Sequence, residues 1–240
     1  MGVRSNPMFR QLETVLASHF TVYNYDCRGR GDSGDTLPHA VSHEIEDIEA
    51  LIEEAGGAAY LFGISSGATL ALEAAAMFPH NIKKLALYDP PFLLDDSRSP
   101  LPNDYVAHVN ELLAVGQRDE AVEYFLQEAL RIPSADIAPM RNDPEWQIMV
   151  ALAHTIAYDG MIMEEMMSGK GIPLERWQSV TMPSLVLNGA KSEPHFGTAA
   201  SAVAEGLPNA RLHIIEGQTH QVESAALSPL LIEFYKGQKV

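Results

Sequence analysis

Five short runs of β-branched, aromatic and other apolar residues along the chain predict strands. They are Phe20–Asp26, Ala59–Ile64, Lys84–Asp89, Ser184–Asn188 and Arg211–Glu216. Glycine, proline, asparagine or aspartate bounds each run, as is typical of strands that end in turns. Helical periodicity lies between most of them, over Pro7–Ser18, Val41–Ala55, Ser66–Phe78, Gly197–Gly206 and Gln221–Tyr235. This alternation predicts an α/β fold with a mostly parallel sheet and helices on both faces.

One long block between the third and fourth of these runs contains no convincing strand. Only helical periodicity occurs there, over Asp104–Val115, Arg118–Arg131, Pro144–Tyr158 and Met161–Ser168. We therefore expect an α/β core of residues 1–92 and 178–240, with residues 93–177 inserted as a helical cap over the sheet edge. The methionines of this block either fill the core between helices or line an adaptable apolar pocket.

The charge of the chain changes which partners are expected. Its 240 residues include 32 Asp and Glu against 16 Lys and Arg, a formal net charge of −16. Nucleic acid is excluded as an expected partner because neutralising phosphates requires clustered cations, and anionic membrane surfaces are disfavoured for the same reason. A single cysteine, Cys27, allows no intramolecular disulfide. With neither a signal-peptide pattern nor a membrane-length apolar run, we expect a cytoplasmic protein.

The strongest chemical signal is Gly63-Ile64-Ser65-Ser66-Gly67, which follows a predicted strand and begins a predicted helix. In that context the pattern G-x-S-x-G forms a sharp turn with its central serine exposed at the top. Ser65 is therefore the candidate nucleophile. The backbone N–H of Ser66, at the helix N-terminus, is a candidate donor to an oxyanion.

Further segments resemble the α/β-hydrolase family, from Gly2 to the C-terminus. Residues 25–33, Tyr-Asp-Cys-Arg-Gly-Arg-Gly-Asp-Ser, are similar to the family's D-x-R-G-x-G-x-S loop. Residues 183–189 resemble its late strand, and Gly217-Gln218-Thr219-His220 resembles its histidine loop. The resemblance implies a catalytic triad in the order serine, acid, histidine, with His220 as general base.

The acid of the triad is where the sequence departs from the family pattern. The family usually places aspartate in a G-x-x-D sequence after the late strand, but this chain has Gly189-Ala190-Lys191-Ser192. Asp89 ends the strand after the nucleophile helix, a position that supplies the acid in some branches of the family. Glu193 lies one residue beyond the usual place. Asp89 is the preferred candidate and Glu193 the alternative.

The beginning of the chain is a second departure. In the family a central strand precedes a loop whose backbone donates the second oxyanion hydrogen bond, and Met1-Gly2-Val3 aligns with that loop. Val3 is therefore the second candidate donor, and the strand before it is missing. We expect Phe20–Asp26 and Ala59–Ile64 to pair directly, a partner chain to fill the gap as in a homodimer, or the natural start to lie upstream. Direct pairing would leave a half-built oxyanion hole and weak activity.

Two other motifs carry less weight. Gly29, Gly31 and Gly34 match the dinucleotide fingerprint, but the next helix starts too late and nearby aspartates would repel a pyrophosphate. His39 and His43 are spaced as metal ligands on a helix, yet no third ligand is suitably placed. We therefore expect neither a cofactor nor a metal.

Two hypotheses follow. The first is a serine hydrolase that cleaves a small to medium apolar carboxylic ester or lactone through an acyl-enzyme on Ser65, with His220 moving the proton and Asp89 orienting His220. The second is a catalytically weak or inactive protein of the same fold that binds an apolar ligand or a partner, because a fold alone does not establish function.

Overall fold

The computed structural model describes residues 2–237 and contains a four-stranded parallel sheet. The strands are β1 (Ala59–Ile64), β2 (Ile82–Tyr88), β3 (Ser184–Gly189) and β4 (Ala210–Ile215). They lie in sequence order, and each pairs in parallel with the next. All their carboxyl ends therefore meet at one edge, where ligands of open α/β sheets usually bind. The outer ends of the expected core, residue 1 and residues 238–240, lie outside the described residues.

The fifth predicted strand, Phe20–Asp26, is wrong. Residues 21–27 have no regular secondary structure, and β1 forms a described ladder with β2 alone. Of the three alternatives for the start of the chain, direct pairing of this run with β1 is therefore wrong too. The segment is held by side chains instead: the Phe20 ring meets those of Tyr60 and Tyr235 edge-on, at centroid distances of 6.1 and 5.9 Å. A strand needs a partner for its backbone groups, and suitable residue types alone do not provide one.

Helices cover both faces of the sheet, as the alternation predicts. One face carries α1 (Pro7–Leu16) and α10 (Ser224–Tyr235), and the other carries α2 (Val41–Glu54), α3 (Ser66–Met77) and α9 (Pro194–Gly206). Along β2, Leu85 and Leu87 pack on the side of α2, α3 and α9, whereas Ala86 and Tyr88 pack on the side of α1 and α10. This alternation buries the strand on both faces, as expected for a parallel sheet.

The block between β2 and β3 is helical and has an apolar cluster of its own. Its helices are α4 (Tyr105–Ala114), α5 (Arg118–Glu128), α6 (Ser134–Met140), α7 (Pro144–Ala151) and α8 (Thr155–Met163), followed by a 3₁₀ turn over Leu174–Trp177. Val109, Val122 and Trp146 belong to this cluster. The exact division into core and cap stays a prediction.

Within this block several helix limits differ from the predicted ones: α5 ends at Glu128 and not at Arg131, and α6 was not predicted. The helix expected over Pro144–Tyr158 is two helices, because the chain turns between α7 and α8, where the His154 ring hydrogen-bonds to the Gly29 carbonyl (2.8 Å). The separate helix expected over Met161–Ser168 is wrong: residues 161–163 are the end of α8, and residues 164–168 form turns. Met163, Met166 and Met167 are buried in the cluster of α2, α3 and α9. These three methionines therefore fill the core.

No helix within residues 2–237 is long and apolar enough to cross a membrane.

Candidate active site

Ser65 lies at the sharp turn between β1 and α3. Its backbone angles, φ 56° and ψ −128°, fall in a region that non-glycine residues rarely occupy. Its N–H donates to the carbonyl of Tyr88 at the end of β2 (3.0 Å), which fixes the turn to the neighbouring strand. Such strain persists only where the surrounding structure imposes it, and it concentrates at functional sites.

The glycines of the motif have different roles at this turn. A Cβ added to Gly63 would lie 2.2 Å from the carbonyl oxygen of Gly67, so β1 and α3 cross too closely for any side chain there. A Cβ on Gly67 would meet no heavy atom within 4 Å. The close approach of strand and helix therefore requires Gly63, while Gly67 contributes its backbone.

Asp89 begins the chain after β2 and is fully buried, with φ 46°. Its Oδ2 lies 3.1 Å from Nδ1 of His220 and accepts a 2.6 Å hydrogen bond from the Ser192 hydroxyl. Its Oδ1 accepts from the Asn188 side-chain amide (2.8 Å) and from the Gly189 N–H (3.1 Å). Both oxygens of this buried carboxylate therefore have hydrogen-bond partners, which fix its orientation toward His220.

The alternative acid, Glu193, lies elsewhere. It is the N-cap residue of α9, its side chain is 58% exposed, and its Oε2 is 3.5 Å from Nδ1 of His195. Among the described residues it makes no hydrogen bond with His220. The structure thus brings Asp89, and not Glu193, to the His220 ring.

The His220 ring is about one-third exposed and stacks on Phe196, with centroids 4.3 Å apart and planes 13° apart. Because Nδ1 faces Asp89, Nε2 is the atom left to take a proton from a nucleophile. The described residues show no hydrogen bond between the Ser65 hydroxyl and this ring. Apo sites often have longer catalytic contacts than substrate complexes, so the pair remains a candidate.

The two candidate oxyanion donors lie in separate segments. Ser66 is the first residue of α3, so its N–H is among those left unpaired at a helix start. The Val3 carbonyl accepts from the Asn6 N–H (3.0 Å), and the N–H of Arg4 donates to Asp26 Oδ1 (2.6 Å). The segment that carries Val3 is therefore tied to the loop of residues 26–33.

Sequence reasoning missed one carboxylate beside the nucleophile turn. Asp159 Oδ1, in α8, accepts from the Ser66 hydroxyl (2.9 Å) and lies 3.0 Å from Nη2 of Arg30. Burial opposes its charged form, but positive charges including Arg30 outweigh that and hold the pKa of Asp159 below its ordinary value. The sequence does contain a signal for Asp159. The segment that forms α8 is otherwise almost wholly apolar, and a buried charge in such a helix requires a partner.

Of the two histidines with metal-ligand spacing, His39 has other contacts. Nε2 of His39 lies 3.0 Å from Glu44 Oε1, and its ring stacks on Tyr158 at 3.7 Å. Within residues 2–237 no group of three or more His, Cys, Asp or Glu side chains could hold a metal ion.

The comparisons with known proteins agree with this geometry. The sequence profile of the alpha/beta hydrolase family matches residues 4–231. The chain belongs to that family. A crystal structure of an alpha/beta hydrolase from Sphaerobacter thermophilus is 45% identical and has a TM-score of 0.87, covering 98% of this chain and 88% of its own. The resemblance in sequence and the fold class are thereby confirmed.

Two more distant similarities are to proteins named as hydrolytic enzymes. The 2-(acetamidomethylene)succinate hydrolase of Mesorhizobium japonicum is 26% identical over 94% of this chain and 81% of its own length. The enol-lactonase from Burkholderia xenovorans is 20% identical, with a TM-score of 0.67 over 95% of this chain and 86% of its own, and it shows the shared fold alone. Membership of the alpha/beta hydrolase family agrees with a hydrolytic activity.

Proposed function

We propose that the protein is a serine hydrolase that cleaves a small to medium apolar carboxylic ester or lactone through an acyl-enzyme on Ser65. The contact between Asp89 and His220 carries this proposal. A fully buried carboxylate with donors on both oxygens is joined to a partly exposed imidazole, at the strand edge that also carries the strained Ser65. This is the arrangement by which a hydrolase activates a serine.

The chemistry assigns a step to each group. Oγ of Ser65 attacks the carbonyl carbon while Nε2 of His220 takes its proton, and Asp89 stabilises the resulting imidazolium. The oxyanion accepts hydrogen bonds from the N–H groups of Ser66 and Val3. His220 then gives the proton to the leaving alkoxide oxygen, and water releases the acid from Ser65 by the same route in reverse.

Three considerations support this substrate class. A serine nucleophile suits attack at a carboxylic carbonyl, and family membership agrees with hydrolysis. The net charge of −16 creates a field that disfavours anionic substrates. The succinate derivative in the name of the Mesorhizobium relative is the substrate of that protein. Anionic amides are therefore a useful set of compounds to compare with apolar esters in a substrate screen.

The test is labelling with a fluorophosphonate probe, read by intact mass. One adduct on the wild-type protein, absent in Ser65→Ala, is the expected result. Hydrolysis of p-nitrophenyl acetate, butyrate and octanoate and of simple lactones then defines the acyl preference.

The absent Ser65–His220 hydrogen bond favours the second hypothesis, a weak or inactive protein that binds an apolar ligand or partner. No adduct on wild-type protein with a cooperative thermal unfolding transition would overturn the hydrolase proposal and support that one.

A further inference from the structure

Within residues 2–237, three separate segments meet at Asp159. The nucleophile turn reaches it through the Ser66 hydroxyl (2.9 Å), the loop of residues 26–33 reaches it through Arg30 (3.0 Å), and Asp159 itself belongs to α8. The side chains of Arg30 and Asp159 are 6% and 13% exposed, so both contacts are shielded from water. Partly buried ionic contacts of this kind fix geometry more firmly than surface pairs do.

The position of Ser66 gives this contact a consequence for catalysis. Ser66 carries a candidate oxyanion donor on its backbone, while its side chain is held by a helix of the inserted block. An oxyanion hole is effective only when its donors are fixed before the reaction, because reorienting them would cost the energy they supply. We propose that Asp159 is a positioning residue, which fixes the Ser66 N–H by holding the Ser66 hydroxyl.

Arg30 has a complementary role. A lone carboxylate beside an oxyanion hole would repel the negative charge that forms there. The guanidinium of Arg30, on the same Oδ1 that accepts from Ser66, cancels that charge while leaving the hydrogen bond intact. The inference rests on the proposed serine hydrolase function and extends it to how α8 acts on the site.

The test uses Ser66→Ala, which removes the hydroxyl and leaves Arg30 and Asp159 paired. Variants of Asp159 would leave Arg30 buried without that partner and endanger folding. We expect Ser66→Ala to lower both kcat and the rate of fluorophosphonate labelling about tenfold, with KM within about twofold and an unchanged melting temperature. Ser66→Thr keeps the hydroxyl and is expected to restore most of the rate.

A matched control lies one turn further along α3. The Thr69 hydroxyl contacts the sulfur of Met163, also in α8 (3.2 Å), and only the backbone N–H of Thr69, which a valine keeps, donates to the Ser65 carbonyl (3.4 Å). Thr69→Val should leave kcat within about twofold. The inference is overturned if wild-type protein is labelled and Ser66→Ala reacts equally fast, or if Thr69→Val slows the reaction as much. A wild-type protein that is not labelled at all refutes the proposed function instead.

Discussion

The hydroxyl of Ser192 donates a 2.6 Å hydrogen bond to Oδ2 of Asp89, the same oxygen that faces His220. Ser192 stands where the family pattern usually has the triad aspartate. The serine therefore supports a carboxylate that comes from the end of β2 instead. A second carboxylate at that distance would repel the first, because two such groups cannot both stay ionised in contact.

The first prediction concerns the acid itself. Asp89→Asn is expected to lower kcat by about 10³–10⁴, because an amide does not stabilise the imidazolium and favours the wrong tautomer of His220. Glu193→Gln is the matched control, and its kcat should stay within about threefold. Ester hydrolysis by the purified variants measures both. A larger loss in Glu193→Gln than in Asp89→Asn would assign the acid to Glu193.

The second prediction is a relocation of the acid. Ser192→Asp alone should lower kcat at least tenfold, since the new carboxylate would crowd Asp89. In the double variant Asp89→Asn, Ser192→Asp the new carboxylate can approach the same face of His220, and we expect at least a tenfold gain over Asp89→Asn alone. Steady-state kinetics of the four proteins form a double-mutant cycle. If the losses of the two single variants simply add in the double variant, the carboxylate at position 192 does not replace that of Asp89 beside His220.

Sequence patterns located most of the sheet, for a physical reason. Short apolar runs bounded by turn residues are typical of strands, which is why β1 and β3 were predicted to within one residue. Phe20–Asp26 is likewise rich in β-branched and aromatic residues, yet it forms no ladder. Whether a run becomes a strand depends on a neighbour along its backbone, which composition does not encode.

Prediction of the candidate site from the sequence had a similar limit. The turn motif identified Ser65 because strand, glycine and helix are consecutive in sequence. The choice between Asp89 and Glu193 depends on how two distant loops meet, and spacing along the chain does not determine this. Asp159 lies more than 90 residues from Ser66, so only the pairing rule for buried charges pointed to it.

A third prediction concerns Gly31, which has φ +52°. A Cβ there would lie 2.1 Å from Oδ2 of Asp26, the buried carboxylate that also accepts from the Arg4 N–H. Gly31→Ala is therefore expected to reduce the free energy of unfolding by about 2–3 kcal/mol, from backbone strain and displacement of that carboxylate. Urea denaturation measures the loss.

Gly34 provides the matched control in the same loop. A Cβ added there meets no heavy atom within 4 Å, and the position has no left-handed φ. Gly34→Ala should change the free energy of unfolding by less than about 0.5 kcal/mol. If both variants lose the same free energy of unfolding, the loss does not come from the contact with Asp26, and the prediction for Gly31 is wrong.

The last prediction concerns stability in acid. Burial lowers the pKa of His195 to about 4, and the nearby charges of Arg98 and His220 act in the same direction, while Asp95 and Asp89 oppose them. An unfolded histidine titrates near pH 6.5. Between about pH 4 and 6.5 the unfolded chain therefore binds more protons than the folded protein, so stability falls as the pH is lowered through that window.

Replacing His195 should remove this part of the pH dependence. We expect wild-type protein to lose about 1–2 kcal/mol more than His195→Gln between pH 7 and pH 5, in urea unfolding at constant ionic strength. His80 is exposed, and His80→Gln is the matched control that should follow the wild-type curve. The quantity compared is the change in the free energy of unfolding with pH, because the glutamine also changes packing and shifts the stability at every pH. Parallel curves for wild type and His195→Gln would show that His195 takes up its proton equally well in the folded and unfolded chain.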